Sequence, residues 1–155
     1  MNKAEFVRRV CGCERRLYRV ARTMLARDAD CEDAVQEALL KAWAKLYMLR
    51  EELYFETWLI RILINECRNI CRKRPVTEME LPENLPQAVS DDSALFEALM
   101  ALPEKHRIAL ELYYIEGYKT REISAMLHIP ESTVKWRLMK GRSKLRTELG
   151  EEAER

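Results

Sequence analysis

The chain has 155 residues and a formal net charge of +1, but that near-neutral total hides an uneven distribution. Residues 1–74 carry 16 Lys/Arg against 11 Asp/Glu, residues 75–94 carry none against 5, and residues 95–155 carry 11 against 10. Basic surfaces separated by an acidic stretch suit a nucleic-acid binder with a charged tether. With 48% hydrophobic residues and only 4 Gly and 5 Pro, the composition excludes a disordered chain, argues against a β-sandwich and points to an all-α fold.

The longest strongly apolar stretch, 58–64, is far short of the roughly 18 residues that span a bilayer. No apolar signal region follows Met1. Membrane insertion is therefore not expected, and a cytoplasmic location is.

Segment 3–27 repeats Phe6, Val10, Cys13, Leu17, Val20, Ala21, Met24 and Leu25 at three- and four-residue intervals, an amphipathic helix. A second helix is expected to open at Asp30, whose carboxylate caps the free N–H groups while Asp33 lies near the positive dipole end. It runs to about Leu49 with Ala34, Val35, Ala38, Leu39, Ala42, Trp43 and Leu46 as its apolar stripe. The third starts near Thr57 and is stopped by Pro75, which restricts Arg74 and lacks an N–H. On it Arg61, Asn65, Arg68, Asn69 and Arg72 recur at helical spacing as one polar stripe. Arginines with asparagines suit phosphates and exposed base edges; a solvated face is the plainer alternative. In the preceding loop Tyr54 and Phe55 either stack on unpaired bases or staple the helix start.

From Pro75 to about Ala94 the periodicity breaks under Pro75, Pro82, Pro86 and acidic residues, which reads as a linker. Helical spacing resumes at 95–102, is reset by Pro103 at the start of a helix to about Tyr114, and is punctuated by Gly117. Then come a helix at 120–127, a turn of His128, Ile129 and Pro130, and a helix from Glu131 to about Leu149: the anatomy of a helix-turn-helix. Ile123, Leu127, Ile129, Val134, Leu138 and Leu145 face inward, with Gly141 where two helix backbones approach closely. The outward face carries Thr133, Lys135, Trp136, Arg137, Lys140 and Lys144, and residues 131–147 hold six cations and one anion. Such a face neutralises phosphates, and its N-terminal half reaches base edges in a major groove.

The division is thus two small helical domains, 1–74 and 95–155, joined by an acidic linker at 75–94. Five cysteines, at 11, 13, 31, 67 and 71, are an odd count, and with no export signal expected a disulfide framework is not expected either. They read as small core hydrophobes, with a zinc or redox set of Cys11, Cys13, Cys67 and Cys71 as a rival. With two His, no Gly-rich phosphate loop and no triad or carboxylate constellation, no catalytic site is expected, and neither is a cofactor or a metal.

DCEDAVQEALLKAWAKL, FETWLIRILINECRNICRKR and LPEKHRIALELYYIEGYKTREISAMLHIPESTVKWRLMKGRSKLR together resemble the extracytoplasmic-function subfamily of sigma-70-type RNA polymerase sigma factors. The resemblance covers nearly the whole chain. It implies binding to core polymerase through Asp33, Gln36, Glu37 and Lys41, which face the β′ coiled coil, with further contact to the β subunit. It implies −10 recognition and melting by Tyr54, Phe55, Arg61, Asn65, Arg68, Asn69 and Arg72, and −35 recognition by Thr133, Lys135, Trp136, Arg137, Lys140 and Lys144 on promoter DNA. It also implies an anti-sigma factor as a further partner, and an acidic linker that either threads the polymerase's basic RNA path or serves as a spacer. His128 stands where the family has Gly, Pro130 where it has a Ser cap, and Trp136 where a small residue is common. Neither the central region 3 nor the N-terminal inhibitory segment of larger sigma factors is expected. A helix-turn-helix regulator acting without polymerase remains the alternative on the residues of the C-terminal half alone.

Overall fold

A computed structural model describes residues 1–73 and 90–153, the side chains of 90–93 and 151–153 excepted. Its described residues form helices and no strands. The elements are α1 (Lys3–Met24), α2 (Asp28–Ala44), 3-10 turns at Leu46–Met48 and Glu52–Tyr54, α3 (Phe55–Lys73), α4 (Ser90–Met100), α5 (Glu104–Leu110), a π-helical turn (Glu111–Ile115), α6 (Thr120–Leu127) and α7 (Glu131–Ala153). The acidic stretch from 75 to 89 lies outside the described residues.

α1, α2 and α3 pack together because each turns one apolar face inward. Leu17, Val20 and Ala21 of α1 meet Ala34, Ala38 and Ala42 of α2 and Leu59, Ile60, Leu63 and Ile64 of α3, all buried. The alanines of α2 leave room for the larger side chains of α3 to seat closely. Each such aliphatic side chain contributes about 1.5–3 kcal/mol on burial. An aromatic cluster closes one end, with the Phe6 ring 5.1 Å from Trp43 and 5.7 Å from Phe55.

Several boundaries differ from the sequence expectation. α1 ends at Met24, since Leu25 turns extended while its N–H still bonds to the Ala21 carbonyl. α2 begins at Asp28 rather than being capped by Asp30. Asp28 pairs with Arg22, and Asp30 faces inward within the first turn, where a carboxylate near the dipole's positive end is favourable. α2 stops at Ala44, and the run to Leu49 is a 3-10 turn instead. α3 starts at Phe55, two residues before Thr57, because the 3-10 turn before it leads straight into the helix. α4 starts at Ser90 rather than Leu95: acidic residues read as linker are also what a first helical turn accepts.

The C-terminal helices gather around Ile108, Ala109, Leu112, Ile123, Met126 and Val134, all essentially without exposed surface. α6, the turn and the start of α7 fall where the sequence placed them. α7 lies close on α5 at Gly141: a Cβ there would stand 3.0 Å from Leu110 Cδ1 and 3.4 Å from His106 Cβ. A Gly141→Val substitution should lower stability by about 1–3 kcal/mol through overpacking. Gly141→Ala should cost less, because the gain in helix propensity of about 1 kcal/mol offsets the tight contact. Urea midpoints of the two variants against wild type check the ordering.

Candidate nucleic-acid interface

The approach of α6 to α7 is set by local chemistry. Glu122 accepts a hydrogen bond from the Lys119 N–H at 2.9 Å, satisfying a free donor at the start of α6. The Thr120 hydroxyl donates to Glu131 at 2.7 Å and ties the starts of the two helices together. Between them His128 adopts the left-handed conformation (φ 59°, ψ 48°), and the Ile129 N–H returns to the Ser124 carbonyl at 3.2 Å. Histidine accepts that backbone better than most residues. Pro130 offers no side-chain cap; its carbonyl instead accepts from the Thr133 and Val134 N–H groups, at 3.0 and 3.2 Å.

With Ile123, Leu127, Val134 and Leu138 buried in the angle, the opposite face of α7 is presented outward. Lys135, Trp136, Lys140 and Lys144 are exposed, while Thr133 and Arg137 are half-buried at the edge of that face. Trp136 is held from two sides. The Lys140 ammonium lies 5.7 Å from its ring centroid, and the buried His106 ring lies 6.1 Å away. Burial, then the cations Lys144, Lys105 and Arg137, push the His106 pKa below its ordinary value.

On α3 the stripe is continuous but unevenly open: Arg61, Asn65 and Arg72 are exposed, Arg68 and Asn69 half-buried. Of the two loop aromatics only Tyr54 is available, at 57% exposure. Phe55 is 3% exposed and sits under the Arg9 guanidinium, edge-on to Phe6, so it staples the helix start and cannot stack on a base. Residues 53 and 54 are the accessible apolar tip of the loop, with Leu53 84% exposed.

On α2, Asp33, Gln36 and Glu37 are exposed. Lys41 is engaged: it donates to the buried Glu66 of α3, and that hydrogen bond holds its ammonium pKa above the usual range. Sequence reasoning missed the apolar surface beside these residues. Leu40, Tyr47 and Met48 are open, and Trp43, expected on the inward stripe, is half-exposed at its rim. Periodicity marks Trp43 as apolar but cannot show that α2 ends before its last turn is covered.

The thiols are not gathered. Cys13, Cys31 and Cys67 are buried and Cys11 and Cys71 exposed, and no group of three or more His, Cys, Asp or Glu among the described residues is placed to hold a metal. Burial pushes the Cys13 thiol up to about 11 and the Cys31 thiol to about 12, which suits core filling rather than thiolate chemistry.

Comparison with known proteins adds to this geometry. Sigma-70 region 2 matches residues 12–75, and Sigma-70, region 4 matches residues 93–145. The probable RNA polymerase sigma factor RfaY of Xanthomonas campestris pv. campestris is 30% identical over 90% of this chain, which spans 39% of RfaY. The ECF RNA polymerase sigma factor SigM of Mycobacterium tuberculosis is 30% identical over 88% of this chain and 72% of SigM. A solved structure of the sigma factor RpoE in complex with the anti-sigma factor NepR, from Bartonella quintana, shares the fold. Its TM-score is 0.82 at 24% identity, over 94% of this chain and 97% of that one.

Two outcomes follow from the burial pattern. Phe55→Ala should cost about 3–5 kcal/mol of stability, whereas Tyr54→Ala should leave the thermal midpoint nearly unchanged. His106, whose folded pKa lies below its ordinary 6.5, resists protonation in the fold but not in the unfolded chain. Its contribution is therefore present above pH 6.5 and lost as pH falls below it. Urea titrations across that range should show the decline, and His106→Asn should flatten it.

Proposed function

Because the chain belongs to the extracytoplasmic-function group of the sigma-70 family, factors that direct transcription initiation, we propose that its exposed faces divide the work of promoter recognition. In this reading residues 1–74 and 95–155 act as two units on the tether of 75–94. The observation that carries it is the cationic outer face of α7, fixed in orientation by the His128 turn and the Gly141 contact. A B-form major groove about 12 Å wide admits such a helix. Lys135, Lys140 and Lys144 then meet phosphates of the −35 element, while Thr133, Trp136 and Arg137 face base edges.

The α3 stripe of Arg61, Asn65, Arg68, Asn69 and Arg72, with Tyr54 on the loop ahead, is proposed for the −10 element. An aromatic beside cationic and amide side chains suits a strand whose bases have unstacked. The acidic face of α2, Asp33, Gln36 and Glu37, is proposed to meet the β′ coiled coil of core polymerase, with the β subunit as a further contact. Leu40 and Trp43 supply apolar area next to those charges. An anti-sigma partner belongs to the same proposal; the RpoE chain of similar fold was solved with one.

Promoter-dependent transcription in vitro with bacterial core polymerase tests the reading, and failure to bind core overturns it. Arg137→Ala should weaken −35 binding by about 1–3 kcal/mol and relax base preference, whereas Lys144→Ala should lower the salt slope by about 1. Fluorescence anisotropy over a salt series separates the two. Glu37→Ala should impair core binding while leaving DNA affinity of the C-terminal helices intact, measured by competition for core.

A further inference from the structure

Ion pairs from α1 reach across to the segment that follows α5. Arg19 donates to both oxygens of Glu116, from Nε at 3.1 Å and from Nη2 at 2.6 Å. Arg16 approaches the same carboxylate at 3.4 Å, donates to the Tyr118 hydroxyl at 3.2 Å and also pairs with Glu56 of α3. The Glu116 side chain has no exposed surface. Next to it Glu111 is 2% exposed, and neither of its oxygens accepts a hydrogen bond from any donor among the described residues.

A buried carboxylate without its counter-ions is strongly disfavoured. Glu116 draws both of its arginines from α1, so its burial is compensated only while the N-terminal and C-terminal helices are packed together. Glu111 avoids the same cost by keeping its proton. Burial, then the adjoining Glu116 carboxylate, hold its pKa far above the ordinary carboxylate range. Burial also pushes Glu116 up, but the hydrogen bonds from Arg19 outweigh it and hold its pKa below the ordinary value.

At the other side of this contact α6 lies against α3, and Arg61 Nη2 stands 3.3 Å from Nδ1 of His128. A member of the proposed −10 stripe thus touches the turn leading into the proposed −35 helix. Elements centred roughly 25 base pairs apart, at about 3.4 Å each, are separated by on the order of 85 Å. α7 itself, at 23 residues, spans only about 35 Å. The packed arrangement cannot engage both elements.

We propose that Arg16, Arg19, Glu116 and Tyr118, with the buried Glu111, form a latch that holds the chain in a closed, promoter-incompetent state and must open when the factor engages core polymerase. The inhibitory role rests on the division of faces proposed above; the latch stands on its own contacts. The groups facing Glu111 and Glu116 are Arg16 and Arg19 from α1, with Glu56 of α3 and Tyr118 reached through Arg16. An open form that exposes Glu111 to water releases its proton above the ordinary value of 4.5, so rising pH favours opening.

Small-angle scattering of the full chain and core-polymerase binding test this together. Wild type at pH 6 should show a radius of gyration of about 15 Å, as for one globule of this length. Arg19→Glu should expand clearly beyond wild type, and the charge swap Arg19→Glu with Glu116→Arg should restore compactness. Glu111→Gln, shaped like the protonated acid, should remain closed and lose the pH dependence. Circular dichroism confirms that each variant keeps its helices. Arg19→Glu should bind core at least about threefold more tightly, since apparent affinity is reduced by the fraction of competent chains. An Arg19→Glu chain as compact as wild type overturns the latch, and an expanded chain with unchanged core affinity overturns its inhibitory role. Failure of every variant, wild type included, to bind core would instead defeat the promoter-reading proposal, while scattering still decides the latch.

Discussion

α3 has to satisfy three neighbours at once, and the rest of the fold is arranged around how it does so. One side buries Leu59, Ile60, Leu63, Ile64 and Cys67 with no exposed surface against α1 and α2. Its outer side carries the Arg/Asn stripe, and α6 lies against it as well. A helix with this division cannot rotate about its axis without exposing aliphatic surface or burying unpaired guanidinium groups. The register of the polar stripe is therefore set by the core, and Glu66 shows the same constraint in miniature. It is a buried acid tolerated on α3 because Lys41 of α2 reaches it.

Much of this was legible from residue spacing. The helix-turn-helix was placed to the residue at both sides of the turn, because apolar periodicity, Pro130 and the close approach required of Gly141 all agreed. The α3 stripe was equally plain at spacings of three and four. What failed were ends and edges. Asp30 has the chemistry of a cap but lies inside the helix, since a carboxylate is favoured both at the cap and within the first turn. Phe55 and Tyr54 are indistinguishable as neighbouring aromatics until Phe6 and Arg9 claim one of them. The arginines at 16 and 19 are the larger omission. Their partners lie about a hundred residues on, and no periodicity links positions so far apart.

The substitutions that set this chain apart from its family's pattern are absorbed locally. His128 takes the left-handed position itself, and Pro130, which has no capping side chain, offers its carbonyl to the Thr133 and Val134 N–H groups. Trp136 is braced between Lys140 and His106, so a large aromatic on the outer face is held in a defined orientation. Indole area fixed in this way presents shape as well as charge, which distinguishes this surface from a helix bearing lysines alone.

The π-helical turn at Glu111–Ile115 carries a consequence for how this chain can change length. There the Glu116 N–H bonds back to the Glu111 carbonyl at 3.1 Å, one residue further than an α-helix would reach. That extra residue turns Glu116 by about 100° about the helix axis relative to a regular helix, and the left-handed Gly117 (φ 78°) then redirects the chain to Tyr118, so that both side chains meet arginines of α1. A deletion of one residue within this turn would regularise the helix and aim the acid away from Arg19.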